Sequence, residues 1–226
     1  PELVEGLCIY QITNMPISVA QQFTQSIEYI VPLGNGYIND TYLVATAAKP
    51  FVLQRINKHV FPNPEQIMTN LMVLNHHIGM QDDKQIGLTI PQLLMAGSEK
   101  YYVCDENGDY WRALSFIENS ESLESINNPE QAGQVGCALG QFHRLTNKLE
   151  STKLYDTLPG FHITPDYLRH YQQVKCSTKL TENTYCTDFI SQHQQIANDL
   201  EAAKAQGLLV NRVIHGDPKL NNFLFD

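Results

Sequence analysis

Apolar residues first recur at a helical interval at Val19, Phe23, Ile27 and Ile30, which predicts a helix over residues 18–30, stopped by Pro32. The pattern then changes to alternation. The runs LGNGYINDTYLVAT and FVLQRIN, separated by a turn at residues 47–50, predict two strands of a hairpin, with Gly34 and Gly36 leading into the first. Helical spacing returns over residues 62–78 through Ile67, Leu71, Leu74 and Ile78, with Asn63 placed as N-cap and Pro64 at the first helical position. Residues 91–96 predict another strand entry. Residues 101–104 and 110–117 flank Asp-Glu-Asn-Gly-Asp, an Asn-Gly hairpin turn.

After residue 117 the pattern becomes helical. Residues 129–145 carry Val135, Leu139, Phe142 and Leu145 on one face, and helices are also predicted over 165–175 and 182–206. The change near 117–122 predicts a boundary between an N-terminal part, 1–117, and a mostly helical part, 118–226. No internal repeat or low-complexity tract is present.

Composition narrows the class. With 226 residues and 42% hydrophobic content the chain is of ordinary globular type, able to form one or two domains. A net charge of -9 argues against a nucleic-acid polymer or an anionic membrane as partner, though a nucleotide site needs only local positive groups. No apolar run reaches membrane-spanning length, and the acidic N-terminal segment is not a secretory signal. The first residue is Pro1 and not Met, as expected of a processed or partial chain. The cysteines, Cys8, Cys104, Cys137, Cys176 and Cys186, form no CxxC pair; this predicts a reduced, cytoplasmic protein with buried thiols and argues against zinc.

The most informative chemistry lies at the end of the chain, in RVIHGDPKLNNFLFD. Apolar Val213 and Ile214 deliver His215-Gly216-Asp217, and Asn222 follows five residues after the aspartate. Phosphoryl transfer to a hydroxyl needs a carboxylate beside the acceptor and an oxygen ligand for Mg²⁺, and kinase catalytic loops place these groups at this spacing. Asp217 is therefore the candidate base and Asn222 the candidate metal ligand. Lys219 is placed to stabilise charge on the transferred group, and His215 to shape the loop. An isolated HGD could be only an Asx turn; Asn222 and the apolar flanks favour the catalytic reading.

Upstream, Gly34-Asn35-Gly36 could bring backbone N–H groups close to phosphates, with Asn39 and Thr41 as side-chain donors, or could be a plain turn. Arg55 ends a strand as the phosphate-pairing lysine of a kinase does, and a surface arginine is the alternative. Glu65 is the only acid in the next helix, in its first turn, where it could simply favour the helix dipole. Backbone groups at about Phe116 to Glu118 could dock a nucleotide base, or the segment could be a linker. His162, in Pro-Gly-Phe-His, could reach an acceptor hydroxyl or be structural. The other histidines show no metal spacing.

Taken in order, these motifs resemble the aminoglycoside phosphotransferase and choline kinase superfamily of small-molecule kinases. HGDPKLNN is similar to that superfamily's HGDxxxxN loop. The segments at 34–42, 51–57, 59–61, 116–119, 139–145 and 159–162 resemble more closely its N-acetylhexosamine 1-kinase branch. The resemblance implies an α+β, protein-kinase-like two-lobed fold. Its nucleotide-binding lobe would span 1–117 and its helical lobe, apparently incomplete, 118–226. It implies ATP and Mg²⁺ as cofactors, Asp217 as base and Asn222 as metal ligand. It also implies a small-molecule acceptor, most closely the anomeric hydroxyl of an N-acetylhexosamine. Choline, an aminoglycoside, homoserine or another sugar are the alternatives, as is a non-catalytic nucleotide-binding module. Three departures stand out. Tyr37 replaces the branch's usual His, Thr69 stands near its usual helix Glu, and the second metal aspartate would lie beyond Asp226. Oligomeric state is not legible in the sequence.

Overall fold

β-Branched and aromatic residues at alternating positions build an antiparallel sheet, seen in a computed structural model that describes residues 16–34, 38–81, 87–178 and 183–226. Its strands are β1 (Ile27–Pro32), β2 (Asp40–Thr46), β3 (Phe51–Ile56), β4 (Leu93–Leu94), β5 (Val103–Cys104) and β6 (Tyr110–Ser115). The order is β1-β2-β3-β6-β4, with β5 also paired to β6. Register matters for the site. Asp40 opposes Arg55 and Thr41 opposes Gln54 across β2 and β3; Gln54 opposes Arg112 and Arg55 opposes Trp111 across β3 and β6.

Successive side chains of a strand point to opposite faces, so this register defines two rows. One face carries Val44, Phe51, Leu53, Trp111 and Ala113. These are buried against Val19 and Ala20 of α1 (Ile17–Ala20). The other face presents Ile56, Tyr110 and Leu114 to α2 (Pro64–Gly79), whose Met68 is buried among them.

α2 starts at Pro64, as predicted, but the Asn63 side chain makes no cap bond; its carbonyl accepts from Gln66 N–H at 3.0 Å instead. The Asn75 side chain holds β4, accepting from Leu93 N–H at 2.9 Å. α3 (Pro129–Thr146) is capped reciprocally. Asn128 Oδ1 accepts from Gln131 N–H, and Gln131 Oε1 accepts from Asn127 N–H, each at 2.9 Å. Gln81 Nε2 donates to the Leu145 carbonyl at 2.7 Å, tying the end of α2 to α3. A two-stranded ladder, β7 (Glu121–Ser122) with β8 (Leu224–Phe225), returns the chain end to the segment that follows β6.

By its contacts the chain forms two compact units. One comprises residues 1–157 and 213–226; the other is 158–212. These limits differ from the change of character at 117–122 seen in the sequence. The second unit holds α4 (Thr164–Ser177), α5 (Thr184–His193) and α6 (Asp199–Ala205), with a 3₁₀ turn at Gln194–Asn198 between the last two.

Three expectations are corrected. The helix over 18–30 is instead α1 followed by β1, because Ile27, Tyr29, Ile30 and Val31 suit a strand and pair with β2. The single helix over 182–206 is broken by the 3₁₀ turn. The described thiols, Cys104, Cys137, Cys176 and Cys186, are exposed and not buried. Among the described residues no helix is long and apolar enough to cross a membrane.

Candidate active site

The terminal loop is shaped by one glycine and one amide. Gly216 takes φ +84°, a conformation that residues with a Cβ rarely adopt, and so turns the chain between His215 and Asp217. Asn222, in a 3₁₀ turn at Leu220–Asn222, reaches back across the loop. Its Nδ2 donates to the Asp217 carbonyl at 2.7 Å and to Asp217 Oδ2 at 3.1 Å. The amide nitrogen of Asn222 is thus committed to Asp217. Lys219 Nζ stands 3.6 Å from Asp217 Oδ2. Asp217 N–H donates to His215 Nδ1 at 3.4 Å. The His215 ring meets Phe142 of α3 edge-on at 5.6 Å and stacks on Phe223 at 6.1 Å. The Asp217 and Lys219 side chains are both 58% exposed, so both charged groups are open to solvent.

A cavity of about 730 Å³ adjoins this loop within the first compact unit. His215 and Asn222 line it, together with Leu71 and Leu74 of α2, Val135 and Phe142 of α3, Ile117 and Arg112. Its volume is in the range of small-molecule sites. The structure therefore brings Asp217, Lys219, Asn222 and His215 together, the last two at a cavity.

The other predicted positions fall elsewhere. Gly34 has φ +74°, consistent with a turn, while Gly36 and Tyr37 lie outside the described residues. Asn39 Oδ1 accepts from Asn57 N–H at 2.9 Å, and Thr41 Oγ1 accepts from Gln54 Nε2 at 2.9 Å. Both side chains thus brace the strands. Phe116 is half-buried and Glu118 exposed, flanking the cavity residue Ile117. His162 lies in the second unit with φ +64°, its N–H donating to Tyr167 OH at 3.0 Å.

Arg55 is engaged on the α1 side of the sheet. Nε donates to Asp40 Oδ2 at 2.7 Å, Nη2 also pairs with Asp40, and Nη1 lies 3.1 Å from Asp109 Oδ2. Its guanidinium carbon is 5.8 Å from the centre of the Trp111 ring. Burial opposes its charge, but the two carboxylates outweigh that and raise its pKa. Glu65 does not meet it. Glu65 Oε1 accepts instead from Tyr102 OH at 2.8 Å and Tyr110 OH at 3.3 Å, and Thr69 Oγ1 only donates to the Glu65 carbonyl.

Sequence reasoning passed over Arg112 and Gln54. Arg112 Nε and Nη2 donate to Gln54 Oε1 at 3.1 and 2.7 Å, and Gln54 is in turn held by Thr41. Arg112 is half-buried as a residue, yet protein surrounds its charged head so closely that burial draws its pKa down to about 10. The signal was the strand register that aligns Thr41, Gln54 and Arg112.

The donor set near Asp217 is suited to a hard cation. The Asn222 amide oxygen is an oxygen ligand, the type Mg²⁺ takes alongside phosphate oxygens and water. Among the described residues no cluster of three or more His, Cys, Asp or Glu side chains could hold a metal unaided.

The chain belongs to the phosphotransferase enzyme family, whose model matches residues 30–226. It shares its fold with a spectinomycin phosphotransferase, APH(9)-Ia, solved with ADP and spectinomycin. The TM-score is 0.54 at 14% identity, over 94% of this chain and 66% of that one. A putative aminoglycoside phosphotransferase from Ralstonia eutropha JMP134 gives a TM-score of 0.47 at 14% identity, over 91% of this chain and 57% of that one. The chain thus spans less than two thirds of the length of either.

Proposed function

We propose that the protein is an ATP-dependent small-molecule kinase that transfers the γ-phosphoryl group to a hydroxyl, most closely the anomeric hydroxyl of an N-acetylhexosamine. The observation that carries this reading is the closed Asp217–Asn222 loop, with Lys219 beside the carboxylate and a cavity at its edge. Membership of the phosphotransferase family supports the reaction class, and the ADP held by the spectinomycin enzyme supports nucleotide use. The sugar acceptor is supported by the sequence segments that resemble the N-acetylhexosamine branch.

In this reading Asp217 orients the acceptor hydroxyl and takes its proton as the new O–P bond forms and ADP leaves. Lys219 offsets negative charge on the group in transfer. His215 fixes the turn through its bond from the Asp217 amide. Asn222, through its amide oxygen, is the residue here that would hold Mg²⁺, which when bound would neutralise phosphate charge. The rest of the catalysis is positioning and charge stabilisation.

The test is an acceptor panel with Mg·ATP and ADP detection. N-acetylhexosamines, choline, aminoglycosides, homoserine and simple hexoses are compared. ADP release dependent on an N-acetylhexosamine supports the full reading. Release with another acceptor keeps the kinase and replaces the sugar. Mg·ATP binding with no acceptor-dependent ADP identifies a nucleotide-binding module instead.

A further inference from the structure

A buried guanidinium faces the cavity without a carboxylate. Arg112 lines the cavity with His215 and Asn222, and among the described residues its guanidinium donates to the neutral amide oxygen of Gln54. Among the described residues no acidic group pairs with it, and burial alone accounts for its lowered pKa. Gln54 occupies one edge of the guanidinium, leaving its remaining N–H groups for another acceptor. A charge kept from water and from a counter-ion is costly, so the arrangement is most stable when an anion is present.

Arg55 is the opposite case. It stands on the other face of the sheet, where two carboxylates and the Trp111 ring already surround it. Recruiting it to a phosphate would break two ion pairs. Recruiting Arg112 breaks none, and the guanidinium fork suits phosphate oxygens.

We propose that Arg112, steadied by Gln54, is the cation that receives a phosphate of the nucleotide, in place of Arg55. The proposal rests on the kinase reading above. Gln54 acts as a positioning residue, held by Thr41 so that the guanidinium keeps one orientation toward the cavity.

Calorimetric titration with Mg·ATP and, separately, with adenosine tests it. Arg112→Met is expected to weaken Mg·ATP binding at least about tenfold while leaving adenosine within about twofold, the tenfold being the loss of one charge-assisted contact. Arg55→Met is expected to leave Mg·ATP within the same twofold. Gln54→Leu keeps the charge but releases it, and should weaken Mg·ATP several-fold without touching adenosine; it is the deciding variant if Arg112→Met fails to fold. Unchanged Mg·ATP affinity in Arg112→Met, a parallel loss of adenosine, or a larger loss in Arg55→Met overturns the proposal. So does unchanged affinity in Gln54→Leu where that variant decides. A wild-type protein that binds no Mg·ATP overturns the kinase reading itself, a result distinct from all of these.

Discussion

Asp105 shows how single groups in this protein are fixed by their donors. Burial works against its charge, but Trp111 Nε1 donates to Oδ2 at 2.8 Å, and the N–H groups of Asp109 and Asn107 each donate to Oδ1 at 2.9 Å. The bonds win, and its pKa falls below the ordinary 3.8. A carboxylate whose folded pKa is depressed adds stability above the unfolded value and loses it as pH falls through the folded one. Asp105→Ala should therefore cost about 1–3 kcal/mol at pH 7, and much less at a pH low enough to protonate the wild-type group, a pH that lies beneath the ordinary 3.8 because its folded pKa is lowered. Urea melts of both proteins at the two pH values check this.

At the scale of elements, the central strands carry the sheet. Leu53 of β3 is fully buried among Val44, Phe51, Trp111 and Ala113. Leu53→Ala is expected to cost about 2–5 kcal/mol, read as a lowered denaturation midpoint at constant m-value. α2 is joined to the β5–β6 hairpin through Glu65. The bond to Glu65, with burial, raises the Tyr102 pKa from 10.0 to about 12. The neutral phenol is the favoured form in the folded protein. Its contribution is complete below pH 10.0 and is lost as pH rises through about 12. Tyr102→Phe should flatten the alkaline limb of a stability–pH curve in that window, and an unchanged limb would refute the assignment. The hairpin of β2 with β3, the helix starting at Pro64 and the helix starting at Pro129 were all legible, because alternation, proline at the first turn and apolar stripes are local signals. The segment 18–30 misled because Val19, Phe23, Ile27 and Ile30 have helical spacing while pairing with β2 decides the outcome. β4 and β5 fall within the segments 91–96 and 101–104 read as strand, but the two-residue strands β7 and β8 leave no periodic trace. The terminal loop could be read because its chemistry is contiguous. Gln54 and Arg112 could not, because they meet only through strand pairing 58 residues apart.

For the molecule as a whole, the sheet and its helices hold a cavity beside the Asp217–Asn222 loop, in a chain that belongs to the phosphotransferase enzyme family and spans less than two thirds of the similar structures. A ligand that binds only the folded state must stabilise it. Mg·ATP at about one hundred times its Kd should add about 2.7 kcal/mol and raise Tm, while the same concentration without Mg²⁺ should add less. Asp217→Asn should preserve that thermal shift, because in the proposed reading this side chain serves the acceptor's proton, and the amide keeps nearly the same shape. The central claim, that the Asp217 loop performs phosphoryl transfer, is tested most directly by following labelled γ-phosphate from ATP to an N-acetylhexosamine. The account predicts label on the sugar with the wild-type protein and a loss of about 10²–10⁴-fold in rate for Asp217→Asn at unchanged Mg·ATP affinity. Near-normal transfer by Asp217→Asn would contradict it.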